Sequence, residues 1–194
     1  MLFMTRGRAR REDLAARQTE WERRPPTASP HERSGIHDCY SIPLPLPQDG
    51  DGERLARRAF DALMTYDIFP PDRMHARVCS ADGRVRTGVT IVQRIVAGVV
   101  AIEAAVRVVD VFETSAANTA RGFSYVTLAG HAERGLATFT LDVDHDGALS
   151  FKIETWSRPA GVAGAVMAPL SRQLQKRFTR EALLHFRDIV TAPG

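Results

Sequence analysis

The sequence predicts an α+β domain in which a curled antiparallel sheet of about seven strands wraps around a long C-terminal helix. Three observations carry that expectation. From Met74 to Trp156 the apolar residues alternate with a period of two, in β-branched runs separated by turn residues. The run GVAGAVMAPLSRQLQKRFTREALLHFRDIV that follows returns to a helical period. Within the domain, one amphipathic helix precedes these strands, so the sheet has a single long partner on which to bury its apolar face and must curl around it.

The bulk numbers fit one such domain. A chain of 194 residues is long enough for a full core and short for two. Contents of 44% hydrophobic and 25% charged residues are ordinary for a soluble globular protein. No apolar run reaches the roughly 18 residues that span a bilayer. MLFMTRGRARRED places its arginines after a short apolar piece instead of before it, unlike a secretory signal. The expectation is a cytoplasmic protein of bacterial type, without membrane insertion, whose Cys39 and Cys79 are reduced thiols. The formal net charge of +3 invites a nucleic-acid partner until the charge is located. Residues 1–37 hold eight arginines against five acids, which leaves eighteen bases and eighteen acids for residues 38–194. The basic excess belongs to the N-terminal segment, and no nucleic-acid partner is expected.

Residues 1–37 read as a basic, flexible tail, with a short helix over REDLAARQTEWERR stopped by Pro25-Pro26, and residues 38–190 as the folded domain. HDCYSIPL is a first strand that prolines 43, 45 and 47 confine to a sheet edge or end. ERLARRAFDALMTY sets Leu55, Ala59, Ala62, Leu63 and Tyr66 on one helical stripe, and FPPD ends it. Strands are expected near 74–80, 86–97, 99–113, 121–129, 135–144 and 148–157. TGVTIVQRIVAGVVAIEAAVRVVDVFE is long enough for a membrane span, but Arg94, Glu103 and Arg107 interrupt it and Gly98 sits where a hairpin turn falls. Glu103 and Arg107 read as an outward charged stripe. In the last helix, bent near Pro169, Met167, Leu170, Leu174, Phe178, Ala182, Phe186 and Ile189 form the apolar stripe. Arg172, Lys176, Arg177, Arg180 and Arg187 lie largely elsewhere. Strand, helix, antiparallel strands and long helix is the order of a helix-grip fold, in which sheet and helix enclose a core or a cavity.

DVDHDGALS, residues 142–150, has the alternating aspartates of a calcium loop. The twelfth residue from Asp142 is however Ile153, where such a loop needs a bidentate glutamate, and both flanks alternate as strands. Asp146-Gly147 therefore reads as a hairpin turn. No GxGxxG, Walker loop, HExxH, CxxC or GxSxG occurs. His31, His37, His75 and His185 are scattered, without carboxylate-rich metal spacing. Neither a cofactor nor a metal is expected.

Three blocks are more distinctive: ARGFSYVTLAGHAERGLATF at 120–139, ETWSRPAG at 154–161 and PLSRQLQKRFTREAL at 169–183. Together, and in that order, they resemble uncharacterised protein family 0548, a domain-of-unknown-function family. The resemblance implies the polyketide-cyclase, START-like and pollen-allergen-like superfamily, and with it the helix-grip fold. Tyr125, Thr127, Gly130, His131, Glu133, Arg134 and Gly135 match the family pattern. Val126, Ala129, Ala132 and Leu136 depart from it, the last standing where a glutamate is usual, and GVVAIEA at 98–104 lacks the usual tryptophans.

GHAERG brings an imidazole, a carboxylate and a guanidinium within four residues. One reading is a solvated hairpin tip whose side chains cap backbone groups. Another is a site in which His131 and Glu133 share a proton while Tyr125, on the strand face of Phe123 and Thr127, offers its phenol to a ligand carbonyl. The candidate catalytic residues are thus His131, Glu133 and Tyr125. The candidate ligand-binding residues are Tyr125, Thr127, Arg121, Gln93, Thr155 and Tyr66. Arg158 is expected to pair with Glu154. The leading expectation is binding of a small, largely apolar molecule in the sheet–helix cavity. The alternatives are a cofactor-free cyclase, dehydratase or isomerase acting on a ketide-like or aromatic substrate, and a ligand-free interaction module with a filled core.

Overall fold

The computed structural model describes residues 4–5, 17–46, 50–97, 100–115 and 119–192, of which 4–5, 97, 100, 115, 161–171 and 174 as backbone only. The elements are β1 (Met4–Thr5), α1 (Gln18–Glu22), β2 (Ile36–Leu44), α2 (Gly52–Met64), β3 (Met74–Val78) and β4 (Thr90–Ala97). They continue with β5 (Val100–Ser115), β6 (Thr119–Thr127), β7 (Glu133–Val143), β8 (Leu149–Pro159) and α3 (Gly161–Thr191). Seven strands form one antiparallel sheet in the order β2-β8-β7-β6-β5-β4-β3, and β1 pairs with β5 off this path. The helix-grip architecture expected from the sequence is the one observed.

Local chemistry explains the elements. β2 lies at one end of the strand order, as its prolines require, because Pro43 has no N–H to give a second neighbour. β5 pairs with β4 along 100–107 and with β6 along 106–115, and its register slips between Val108 and Asp110. A bulge at that point sharpens the twist and curls the sheet. Gly98, expected at the β4–β5 turn, lies outside the described residues. At the β7–β8 turn the Asp144 carboxylate accepts from the Asp146 and Ala148 N–H groups, at 3.0 and 2.8 Å, and Gly147 supplies φ +79°. The aspartates of DVDHDG thus serve the hairpin, and Asp142 pairs across to Lys152.

α2 starts on the Asp51 side chain, which accepts from Arg54 N–H at 2.8 Å. It ends unusually. Asp67 N–H reaches Ala62 O and Tyr66 N–H reaches Leu63 O, the hydrogen bonds of a closure that normally carries glycine in the left-handed position. Here that position is Tyr66, with φ 61°. The left-handed backbone costs a bulky residue about 1–2 kcal/mol, and burial of its ring against Phe69, Phe123 and Phe139 offsets it. α3 buries Ala182, Leu183, Phe186 and Val190, and Phe186 stacks on Phe151 of β8 at 4.0 Å. The side chains of Met167, Leu170 and Leu174 lie outside the described residues. Arg177 and Arg180 are exposed as expected, whereas Arg172 turns inward.

The N-terminal segment departs from the flexible tail that its composition suggests. Residues 17–35 form a strap over the convex face of the sheet. Trp21 of α1 is 1% exposed and packs with Val92, Ala105 and Leu128. Thr27 N–H donates to Thr127 O at 2.8 Å and Ala129 N–H to Pro25 O at 2.9 Å, so the main chain of the strap pairs with the end of β6. Arg107 donates to Glu22 O. The strap also changes the fate of the charged stripe on β5: Glu103 faces outward but is 4% exposed, between Arg94 and Arg17. Arg158 pairs with Glu32 of the strap at 2.6 Å, not with Glu154, which takes His37. Composition missed this because a single buried tryptophan, not a high apolar content, ties the segment down. Trp21→Ala is expected to lower the unfolding free energy by about 3–5 kcal/mol in urea titration. A loss below ~1 kcal/mol would mean that the strap is not part of the cooperative unit.

Candidate functional site

Between the concave face of the sheet and α3 lies a cavity of about 210 Å³. Ile95, Ile102 and Ala104 wall it from β4 and β5, Phe139 and Ile153 from β7 and β8, and Phe178 from α3. Phe69 and Met74 close it from the segment after α2. The volume exceeds the ~100 Å³ below which a filled core would be favoured, and falls short of the ~300 Å³ at which ligand pockets usually begin. Two other hollows are larger, about 360 and 370 Å³. The first opens beside α2 and the second beside the α2–β3 connection. The central cavity is the candidate because sheet and helix both contribute to it and because polar side chains collect there.

Strand register puts those side chains in place. Tyr125, Ala137, Thr155 and Asp38 are successive partners across β6, β7, β8 and β2, one row across the concave face. Gln93 pairs with Ala104 on neighbouring strands. It is 2% exposed, and its Nε2 donates to Tyr66 Oη at 2.7 Å. A buried amide without such a partner would be costly, so the strained Tyr66 has a second purpose besides packing. Burial pushes the Tyr125 hydroxyl above its ordinary pKa, and hydrogen bonds with Tyr66 and Gln93 act against that. Burial likewise holds Tyr66 well above the usual range.

His131 enters from the loop between β6 and β7, and Glu133 from the first position of β7. The loop turns at Gly130, with φ +99°, where a Cβ would come within 2.2 Å of Arg24 Nη1. Arg24 lies over the Trp21 ring at 4.0 Å and donates to Ala129 O at 3.1 Å. The strap therefore holds the loop from outside while its other side faces the cavity. Gly135 permits a second close approach, since a Cβ there would strike Trp156 O at 2.0 Å. His131 Nδ1 accepts from the Glu133 N–H at 3.0 Å, and burial pulls its pKa down to about 4. The ring is therefore neutral near pH 7, with its proton on Nε2. Burial pushes the Glu133 carboxyl up. Arg172 works against this shift, and the Asp38 carboxylate adds to it. Arg172 itself is held by a two-pronged ion pair to Asp38, one contact of 2.7 Å, which keeps Asp38 below its ordinary pKa.

Of the residues singled out from sequence, Gln93, Tyr125, His131, Glu133 and Thr155 line one cavity. Tyr66 stands behind it and reaches in through Gln93. Two others are elsewhere. Thr127 closes the β6–β7 end, accepting from Gly135 N–H at 3.0 Å and meeting Thr27 of the strap. Arg121 shares the face of Tyr125 but lies four residues along the strand, about 13 Å away, where it pairs with Glu113 and sits near the Phe60 ring. Alternation fixes the face of a residue and not its depth in a curved sheet. Leu136, the departure from the family glutamate, is 3% exposed in register with Val126 and Trp156 on the convex side, so that substitution lies outside the cavity. Sequence reasoning missed the Asp38–Arg172 pair and Gln175 at the cavity edge. The even spacing of Asp38 with the inward Tyr40 and Ile42 was the available signal.

A curled sheet around one long helix, with a partly open apolar cavity edged by a few polar groups, defines a helix-grip protein. The chain belongs to the family described as a domain of unknown function (DUF1990), which matches residues 18–184, the Trp21 strap included. Solved structures agree in fold. A hypothetical protein of Helicobacter pylori, jhp0584, aligns with TM-score 0.55 at 10% identity over 99% of each chain. TTHA0849 from Thermus thermophilus gives TM-score 0.52 at 12% identity over 80% of this chain and 97% of that one. An Arthrobacter aurescens protein gives TM-score 0.51 at 10% identity over 82% and 88%. At such identities the likeness is one of fold. No protein of curated function matches the chain. Among the described residues, no helix is long and apolar enough to cross a membrane.

The neutral His131 gives the protein a pH signature. The unfolded chain takes up a proton as the pH falls through 6.5 and the folded chain does so only near 4, so stability present above 6.5 is lost across that window. Glu133, with its pKa raised, contributes in the opposite sense, since the folded chain protonates it first. His131→Asn keeps an acceptor for Glu133 N–H and does not titrate. Urea titrations at successive pH values should show the variant losing less stability than the parent between pH 6.5 and 4. Parallel curves would mean that the imidazole titrates alike folded and unfolded.

Proposed function

We infer that the protein binds a small, largely apolar molecule in the cavity between the curled sheet and α3. The observation that carries this reading is a space of about 210 Å³ with apolar walls in which Gln93, Tyr125, His131, Glu133 and Thr155 converge. Binding sites combine apolar lining with a few placed polar groups in this way, whereas a packed core excludes voids of that size. An apolar cavity of ~150 Å³ admits benzene, so the space suits one ring with a short substituent. Cys39 and Cys79 are free thiols, which supports a cytoplasmic setting. Native mass spectrometry of freshly purified protein, followed by denaturing analysis of what it releases, tests the reading. The expected result is a reproducible small apolar adduct, or uptake of added monocyclic aromatics. Both should be lost in Ala104→Leu, because Ala104 is a 1%-exposed wall residue whose enlargement fills the space. A clean apo mass that no added aromatic changes would sink it.

A second reading, a cofactor-free cyclase, dehydratase or isomerase on a ketide-like or aromatic substrate, is favoured by one observation. His131 and Glu133 have their pKa values displaced in opposite directions beside the Tyr125 phenol in the same cavity. Pairs of groups driven apart by their surroundings mark acid–base sites. Here Glu133 would take a proton from carbon next to a carbonyl while Tyr125 holds the oxygen. Protein-dependent deuterium incorporation at that carbon of a small aryl ketone in D₂O, abolished in Glu133→Gln, is the expected signature. Incorporation no faster than in buffer would remove the enzyme reading and leave the binding one.

A further inference from the structure

The cavity also carries information about which small molecule it holds. Its polar groups are not interchangeable, because the hydrogen bonds behind them fix which of them have a proton to give. The backbone N–H of Glu133 donates to His131 Nδ1 at 3.0 Å, so a neutral ring keeps its proton on Nε2 and can only donate from there. Gln93 Nε2 donates to Tyr66 Oη at 2.7 Å, which leaves the single Tyr66 proton to be given onward. Tyr125 lines the same cavity beside Tyr66, with 6.5 Å between the ring centroids, and its phenol has a proton to give.

Charge narrows the choice further. Glu133 is the one acidic side chain among the described lining residues, and none of them is an arginine or lysine. A ligand carboxylate or phosphate would meet Glu133 with no cation in the lining to pair it. An ammonium could pair with Glu133 but would give neither donor an acceptor. The geometry points to an uncharged ring compound with one carbonyl oxygen as the ligand, its oxygen held between the Tyr125 hydroxyl and the Nε2–H of His131. This rests on the cavity-binding reading above and names its ligand class. Tyr125 and His131 touch the ligand in this scheme.

Acetophenone, ethylbenzene and benzoate share one ring and differ in the group offered to the donors. Calorimetric titration of the intact protein with each is expected to give acetophenone an affinity about tenfold or more above that of ethylbenzene, since only its carbonyl offers the two donors an acceptor. Benzoate is expected to bind more weakly than acetophenone. The infrared carbonyl stretch of bound acetophenone should lie below its value in hexane. Tyr125→Phe should cut the acetophenone-to-ethylbenzene preference about tenfold and move the stretch back. The comparison of the three ligands needs no variant, so it stands even if one fails to fold. Equal affinity for acetophenone and ethylbenzene, or benzoate as the tightest of the three, would overturn the carbonyl assignment and leave the cavity as a binding site. Binding of none of them would overturn both readings together.

Discussion

Seven strands laid flat, six spacings of about 4.8 Å, would make a sheet nearly 30 Å wide, while a helix with its side chains is only about 10–12 Å across. A single helix cannot cover that face unless the sheet curls, and the rest of the molecule follows from the mismatch. The register slip between Val108 and Asp110 supplies local curl in the longest strand. Even curled, the sheet is not filled by α3 alone. The end of α2 brings Tyr66, and the segment after it Phe69, against Phe123 and Phe139, and Phe186 of α3 stacks on Phe151. What neither helix reaches is the cavity.

Curvature has a consequence on the other side as well. The convex side of the sheet carries Val92, Ala105 and Leu128, apolar residues that neither α2 nor α3 covers. The strap covers them with Trp21 of α1, and in doing so it pairs its main chain with the end of β6 just before the loop that carries His131 and leads into Glu133 of β7. Arg24 ties the two together, lying on the Trp21 ring and against Gly130. The position of His131 and Glu133 at the cavity thus depends on a contact made outside it. A glycine is required at 130 both for its backbone angle and for the space that the arginine occupies.

Inside, burial and hydrogen bonding pull in different directions. Gln93 is buried, which is tolerable because Tyr66 accepts from its amide, and that tyrosine is held in a backbone conformation that costs energy. At the cavity edge, Asp38 and Arg172 neutralise each other beside Glu133, so the carboxyl that burial raises is partly restrained by the arginine. The cavity is therefore bordered by polar groups whose hydrogen bonds and charges are set by residues around them.

The sequence by itself determined the element types and their order, because alternation and helical periodicity are properties of consecutive residues and need no distant partner. It also determined which side of each strand faces inward, and hence that Gln93, Tyr125 and Thr155 share the concave face. It fixed the β7–β8 turn too, where Asp144 and Gly147 act within five residues. Only the tertiary structure decided depth along that face. Arg121 and Tyr125 have the same parity, yet one meets Glu113 near α2 and the other meets Gln93 and the cavity. Only the tertiary structure, likewise, turned an arginine-rich leader into a strap, since the burial of Trp21 depends on Val92, Ala105 and Leu128 from three other segments. The same holds for His131 and Glu133. A hairpin tip reads as solvated when nothing distant is known to enclose it, and it is the strap outside and the sheet–helix cavity inside that partly bury both groups and move both pKa values.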